Sequence, residues 1–479
     1  MIVHSILTAL FALCFAIVLM TDGGVYPLTV SLAAVLMALV LAVASLRQPW
    51  PKGRAWPLVT CSMLWLLVVG WTILQTLPLP GDILANPAWS TLRQAIAVPS
   101  GSVQGRISVA ADDSLYAIIP ISLPFVTFMA AFLLFRTDRE VAKLWRVIGV
   151  VGGCLAVFAI VQSVVFPDTL MFSRKEAYLG SLTAPFVNRN TAATFYGVVA
   201  LVLASQTLLS LRDGPAQQTG RAGGSSSEAR IRDLFLFGSL ALASLVALAL
   251  TQSRGGALSA FVGFAVFLLG TGFTAGVKTQ AVGQGRFFSS TPGRQGVAGK
   301  FGRRRIFVVV IALVCFAALA FLLLGRAVLR AERQGPEDSR FCIYRGVIDA
   351  IDTNFWQGIG AGSFRYYFAA FRSPECGIVG GWFRAHDVYL DTVLALGLPL
   401  GLLVIATIAA ALTCLLARGM MTRRRQRPII LAMIAATVLV AIHACLDFSL
   451  QIPGFALLFA LMAALTANVS LNRSGKSAR

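Results

Sequence analysis

Runs of about twenty consecutive apolar residues recur from one end of this chain to the other, and no other feature restricts the fold as strongly. A helix rises about 1.5 Å per residue, so roughly 20 residues cross the ~30 Å hydrocarbon layer of a bilayer. Inside lipid no water can satisfy a backbone N–H or C=O, so a spanning segment must be a helix or part of a closed barrel. The runs are continuous rather than alternating, which excludes a barrel. The expected fold is an all-α integral membrane protein with about twelve transmembrane helices, over 5–20, 26–46, 58–75, 116–135, 147–166, 190–211, 234–251, 255–272, 306–325, 386–417, 429–446 and 453–471. The first run is short, but no basic segment precedes it and a second run follows at once, so it reads as a retained helix and not as a cleaved signal peptide.

Only 13% of the 479 residues are charged, against about 25% in soluble domains, yet the net charge is +20. Such a surplus can indicate nucleic acid, but its distribution argues against that. Arg47, Lys52 and Arg54, then Arg136 to Arg146, Arg212 to Arg232, the basic residues of 278–305, Arg418 with Arg423 to Arg427, and Arg473 to Arg479 lie in the loops of one side, mostly near span ends. The positive-inside rule assigns that side, and both termini, to the cytoplasm. These side chains anchor the spans beside anionic lipid, so membrane lipid is an expected partner and nucleic acid is not.

The cytoplasmic loops 212–233 and 273–305 are rich in Gly, Ser and Arg and read as flexible linkers. The opposite side carries 76–115, opening on Gln75-Thr-Leu-Pro-Leu-Pro80, and the long loop 326–385. Loops beyond roughly 15 residues are usually functional or disordered, and this one is too aromatic for disorder. Short helices are expected around 337–352 and 363–372, separated by Gly358-Ile-Gly-Ala-Gly362. Six of the eight cysteines lie in apolar spans, where they read as small buried hydrophobes. Cys342 and Cys376 share the long outer loop and can form a disulfide if that loop faces an oxidising compartment. No Cys or His pair has metal-ligand spacing, so neither a metal site nor a cofactor is expected.

Few residues are placed to do chemistry. His386 stands at the outer start of the tenth span, and His443 and Asp447 stand one turn apart near the outer end of the eleventh. Ionisable residues at such depth are costly and point to function, although His443 and Asp447 can also simply satisfy each other. Arg189, in Phe186-Val-Asn-Arg-Asn190, opens the sixth span, and Arg254 lies in the short break Thr251-Gln-Ser-Arg-Gly-Gly256. A lone outer arginine usually snorkels to headgroups. Two of them in Asn, Gly and Ser settings suit a diphosphate, because the guanidinium fork gives paired, charge-assisted hydrogen bonds. Arg340 and Arg345 of the long loop could cover the same place.

Taken together, Leu77-Pro-Leu-Pro80, Phe186-Val-Asn-Arg-Asn190, Leu250-Thr-Gln-Ser-Arg-Gly-Gly256, Asp338-Ser-Arg340, Gly358-Ile-Gly-Ala-Gly-Ser-Phe364, Ala385-His-Asp-Val-Tyr-Leu390, Leu396-Gly-Leu398 and His443-Ala-Cys-Leu-Asp-Phe448 make the chain resemble the O-antigen ligase and polysaccharide polymerase superfamily of bacterial inner membranes. The motifs follow the family's order over nearly the whole chain. The resemblance implies a GT-C-type glycosyltransferase architecture. It also implies metal-independent transfer of a glycan from undecaprenyl diphosphate to a sugar hydroxyl in the periplasm, the acceptor being another glycan or lipid A-core. Carried over by residue, it implies that Arg189, Arg254 and Arg340, with Arg345 beside it, hold the donor diphosphate. His386 would be the general base, Asp387 would orient it or share its role, and Asn190, His443 and Asp447 would support the site. The family often has Asn where this chain has Asp387, which leaves that residue's role open. A flippase or secondary transporter is the alternative from another class; such proteins tend to show internal repeats and broken helices.

Overall fold

The computed structural model describes residues 2–96, 103–212, 225–283, 339–374 and 381–472. Among them there is no β-strand, only one isolated bridge between Thr169 and Arg174. Eleven helices among the described residues are long and apolar enough to cross a membrane, so the chain is a multi-pass all-α membrane protein. In chain order the first three are α1 (Ile2–Met20), α2 (Pro27–Arg47) and α3 (Trp56–Thr76). A short α4 (Pro87–Ala95) precedes α5 (Ala111–Leu134), α6 (Asp138–Val165), α7 (Arg189–Arg212), α8 (Ser225–Leu250) and α9 (Arg254–Gly283). Beyond the ninth expected span, 306–325, which lies outside the described residues, come α10 (Ser339–Thr353) and the short α11 (Phe364–Tyr367). The chain closes with α12 (Val388–Leu396), α13 (Leu398–Thr422), α14 (Arg427–Ala444) and α15 (Pro453–Leu471).

Proline marks the helix starts. Pro lies in the first turn of α2, α3, α13, α14 and α15, where its missing N–H would be unpaired in any case. A capping box opens α6: Thr137 Oγ1 accepts from the Glu140 N–H (3.2 Å) and Glu140 Oε2 accepts from the Thr137 N–H (2.9 Å). Two helices form the core of the bundle. The spanning window of α15 is 94% buried and that of α7 78%, whereas α1 and α13 bury only 22%. Exposed Leu, Val and Ile on the outer helices therefore face where lipid would be. On one side α5 packs against α2, α3 and α15; on the other α7 packs against α6, α8, α9 and α14. The basic end of the bundle is tied together by Asn472, whose Nδ2 donates to Asp138 Oδ1 (2.8 Å) and the Arg136 carbonyl (3.0 Å). Arg423 pairs with the same Asp138.

The tenth span is not the continuous 386–417 helix expected. It is split into α12 and α13 at Gly397, which has φ +87°. The break exposes carbonyls that a continuous helix would have paired, and the glycine-rich loop fills it. The Ile359 N–H donates to Leu394 O (3.0 Å), Gly360 N–H to Ala395 O (3.1 Å) and Leu398 N–H to Phe355 O (2.8 Å). Gln75 Nε2 donates to Ala395 O and Gln357 O, both at 2.8 Å. The two backbones meet so closely that a Cβ at Gly397 would stand 2.3 Å from Trp356 O.

The helices expected in the long loop are present as Ser339–Thr353 and as Phe364–Tyr367 followed by a 3-10 turn to Phe371. With 103–110 and α4 they form a cap with its own apolar core, including Ile343, Val347, Ile359, Phe364 and Phe368. Asn86 Nδ2 donates to Asn354 Oδ1 (2.8 Å) and Asn354 Nδ2 to the Tyr367 hydroxyl (2.7 Å), which locks the two loops to each other. Helices α8 and α9 extend into the segments expected as linkers, beginning at Ser225 and ending at Gly283. Cys376 and the side chain of Cys342 lie outside the described residues.

Candidate active site

Three helix starts meet at the cap end of the bundle, and each is held by a side chain. Asn188 Oδ1 accepts from the Asn190 N–H (2.8 Å) at the start of α7. Ser253 Oγ accepts from the Gly256 N–H (3.1 Å) at the start of α9, and Asp387 Oδ1 from the Leu390 N–H (2.9 Å) at the start of α12. These are N-caps, which satisfy donors the helix itself cannot. The cap of α9 is tied to the first turn of α7, because Ser253 Oγ donates to Asn190 Oδ1 (2.8 Å). Arg189 and Arg254 are the first helical residues after them. Each helix start also carries about half a positive charge from the aligned peptide dipoles, so guanidinium and dipole favour an anion at the same place.

Asp447 sits behind these starts, fully buried. An isolated buried carboxylate costs several kcal/mol, and here neighbouring donors offset that cost. Asn190 Nδ2 donates to Oδ1 at 3.0 Å, Asn188 Nδ2 to the same oxygen at 3.3 Å, and Ser449 Oγ to Oδ2 at 2.8 Å. His386 Nδ1 lies 4.0 Å from Oδ1. His443 is also buried, with Thr194 Oγ1 2.7 Å and Ser449 Oγ 3.4 Å from its Nδ1. Ser449 lies between His443 and Asp447, which the sequence left open either as site residues or as a mutually satisfied pair, and the Asp447 oxygen held by the two asparagines is the one that faces His386.

His386 has φ +57°, a left-handed conformation that a non-glycine residue adopts at a cost of about 1–3 kcal/mol. Its surroundings hold it there. The ring stands edge-to-face between Trp382 (5.4 Å between centroids) and Phe448 (4.9 Å). The Tyr344 hydroxyl of α10 lies 3.2 Å from the His386 carbonyl and 2.9 Å from that of Cys445. The imidazole lines an open cavity of about 320 Å³ with Tyr178, Trp382, Phe383, Arg384 and Phe448. Arg189 lies against one of these lining residues, its guanidinium 5.4 Å from the centre of the Tyr178 ring.

The structure thus brings His386, Asp447, Asn190, His443 and Arg189 into one neighbourhood and fastens the helix start bearing Arg254 to it. Arg254 itself is exposed. Arg345 is exposed on α10, one residue beyond Tyr344. Arg340 is in the first turn of α10, but its side chain lies outside the described residues. Asp387 caps α12, and burial pushes its carboxyl above the usual range, partly offset by the N–H groups of Leu390 and Tyr389. Among the described residues no group of three or more His, Cys, Asp or Glu could hold a metal ion.

Asn188, Thr194, Ser449 and Tyr344 were not singled out in the sequence. Asn188 lies inside a quoted motif and Ser449 directly follows another, so proximity to motif residues was the available signal. Nothing local marks Thr194, and Tyr344 stands in the sequence only as one of many aromatics of the long loop.

No curated protein matches the chain. Residues 239–405, about a third of it, match the family model described as O-antigen ligase. The matched stretch runs from α8 into α13 and includes Arg254 and His386. Members of this family are membrane-embedded, glycosyltransferase-like ligases and polymerases, which accords with the eleven apolar helices. That match makes the stretch from α8 into α13 similar to the O-antigen ligase and polysaccharide polymerase superfamily.

Proposed function

We propose that this protein transfers a glycan from undecaprenyl diphosphate to a sugar hydroxyl at the periplasmic face of the bacterial inner membrane, with His386 as general base. The observation that carries the reading is the 4.0 Å approach of His386 Nδ1 to the buried Asp447 carboxylate, at the wall of a cavity whose Tyr178 is packed against Arg189. A carboxylate behind one imidazole nitrogen leaves the other to face substrate and stabilises the imidazolium once a proton is taken. In the proposed step the acceptor hydroxyl loses its proton to His386 Nε2 as its oxygen attacks the donor's anomeric carbon. The bond from that carbon to the diphosphate oxygen breaks on the opposite side, and the electron pair leaves with the diphosphate. Arg189, Arg254 and the starts of α7 and α9 stabilise the departing charge, with Arg340 and Arg345 assisting from α10. Diphosphate is already a good leaving group, so a general acid is dispensable. Asp387, occupied as a helix cap, supports the position of His386 and does not take the proton.

The split of the tenth span is the one feature that favours a transporter, since broken helices commonly build transport sites. Here the carbonyls freed at the break accept from Ile359, Gly360 and Gln75, so they are committed to the cap and do not offer a site for an ion. The test is reconstitution of the full chain in liposomes with a lipid-diphosphate-linked oligosaccharide, with and without lipid A-core. Lengthened lipid-linked glycan without added core, lost in His386→Ala, marks a polymerase. Product only on lipid A-core marks a ligase. Substrate flux with no new glycosidic bond overturns the proposal.

A further inference from the structure

A second cavity, of about 230 Å³, opens beside the first between α5, the glycine-rich loop and α12. The two share Phe383 and Arg384 as a common wall, and His386 follows two residues after that wall. We propose that this second cavity seats the acceptor: a single pyranose ring of a glycan, held so that one of its hydroxyls reaches across Phe383 and Arg384 to His386. The proposal rests on the transferase reading above and assigns it a substrate seat.

Size and lining both support this. A liquid water occupies about 30 Å³, so the cavity holds the volume of about seven or eight waters, which suits one sugar ring and not a polyprenyl chain. Its walls alternate apolar faces with hydrogen-bonding groups, as a pyranose requires. Tyr116, Phe364 and Phe383 offer ring faces to C–H groups. Asp113 and Asp391 offer acceptors, and Arg365 and Arg384 offer donors. The charged groups are paired only loosely across the space: Arg365 to Asp113 at 3.4 Å and Arg384 to Asp391 at 3.6 Å. A fully engaged pair of this kind closes to about 2.7–2.9 Å, so a hydroxyl placed beside either pair can accept from the arginine and donate to the carboxylate, although Asp391 Oδ2 also accepts from Gln451 (2.6 Å). The backbone adds an acceptor. Pro120 lies inside α5 and has no N–H, so the Tyr116 carbonyl loses its regular helical partner. Tyr116, Ala117 and Pro120 all line the cavity, which puts that peptide unit on its wall.

The test measures sugar binding apart from catalysis. Saturation-transfer NMR on the full chain in nanodiscs would use two probes, a soluble core oligosaccharide and a repeat-unit oligosaccharide. The wild-type protein should bind one of them, and which one identifies the source of the acceptor. Asp113→Asn removes one half-exposed acceptor, and Ala117→Phe fills the space from α5. Each should weaken sugar binding by about tenfold or more and raise the acceptor KM to match, with the KM for the lipid-linked donor unchanged. Sugar binding at wild-type strength in both variants, equal loss of donor binding, or failure of the wild type to bind either sugar overturns the proposal. Wild-type protein that binds the oligosaccharide but forms no glycosidic bond supports the seat and overturns the transferase reading. Transfer with an unchanged acceptor KM in both variants overturns the seat alone.

Discussion

Two carboxylates lie close to His386 in space or sequence, and their surroundings give them different work. Asp447 is fully buried, accepts from Asn188, Asn190 and Ser449, and faces the imidazole. Asp387 is the next residue in the chain, but its oxygen caps α12. A positioned general base contributes roughly 10²–10⁴-fold, and much of that depends on the group orienting it. Asp447→Asn should therefore lower the transfer rate on the order of 10²-fold or more, while Asp387→Asn stays within a few-fold of wild type, because Asn caps a helix as well as Asp. Initial rates at saturating donor decide between them, and equal losses would sink the distinction. The Asp387 carboxyl is raised by burial, so the folded state prefers it protonated. Stability from that preference is present below the ordinary carboxyl range and lost as pH rises through the raised value. Asp387→Asn should thus gain thermal stability relative to wild type between about pH 4 and pH 8; the same difference at both pH values would contradict this. From sequence alone His386, Arg189 and Arg254 stood out because charge at an apolar boundary is costly. Thr194, Ser449 and Tyr344 are common polar residues; the roles of Thr194 and Tyr344 arise from partners 249 and 42 residues away, and that of Ser449 from a turn the sequence does not mark.

Among the elements, the spanning helices were the most legible, since a run of twenty apolar residues has few alternatives in lipid. Helix α10 also fell where its aromatic and apolar spacing indicated. The split between α12 and α13 did not, because mostly apolar residues run on both sides of Gly397 from Val393 to Leu416 and the break is stabilised by groups from α3 and the cap. Glycine is required at that junction. Gly397 has φ +87°, and its backbone approaches Trp356 O too closely for any Cβ. Gly358, with φ +69°, would set a Cβ 2.5 Å from Ala395 O. Replacing either by Ala should destabilise the cap by at least about 1–3 kcal/mol, seen as a lower Tm and faster proteolysis at 339–374. Unchanged melting of both variants would show that the junction is looser than drawn. Tyr344 joins the same cap to the site through the His386 carbonyl, so loss of the cap should also reduce transfer.

For the whole molecule, the sequence indicated class and sidedness together. The basic end ties Asp138, Arg136, Arg423 and Asn472 into one network, and the opposite end carries the cap and both cavities. If the basic end is cytoplasmic, a membrane-impermeant thiol reagent applied to whole spheroplasts should label Ser90→Cys on α4 and leave Arg424→Cys unlabelled, in a cysteine-free background. Both positions are exposed, so the reversed pattern would invert the topology. What the fold adds to the sequence is convergence: α7, α9, α12 and the α14–α15 turn bring residues from four motifs into one hydrogen-bonded neighbourhood beside the His386 cavity. The most direct test of the account counts two products in one reaction, glycosidic bonds formed and undecaprenyl diphosphate released, using purified protein, lipid-linked donor and acceptor glycan. One of each per turnover is expected, with both lost in His386→Ala while donor binding is kept. Donor moved across the bilayer with no bond formed, or bond formation undiminished in His386→Ala, would contradict it.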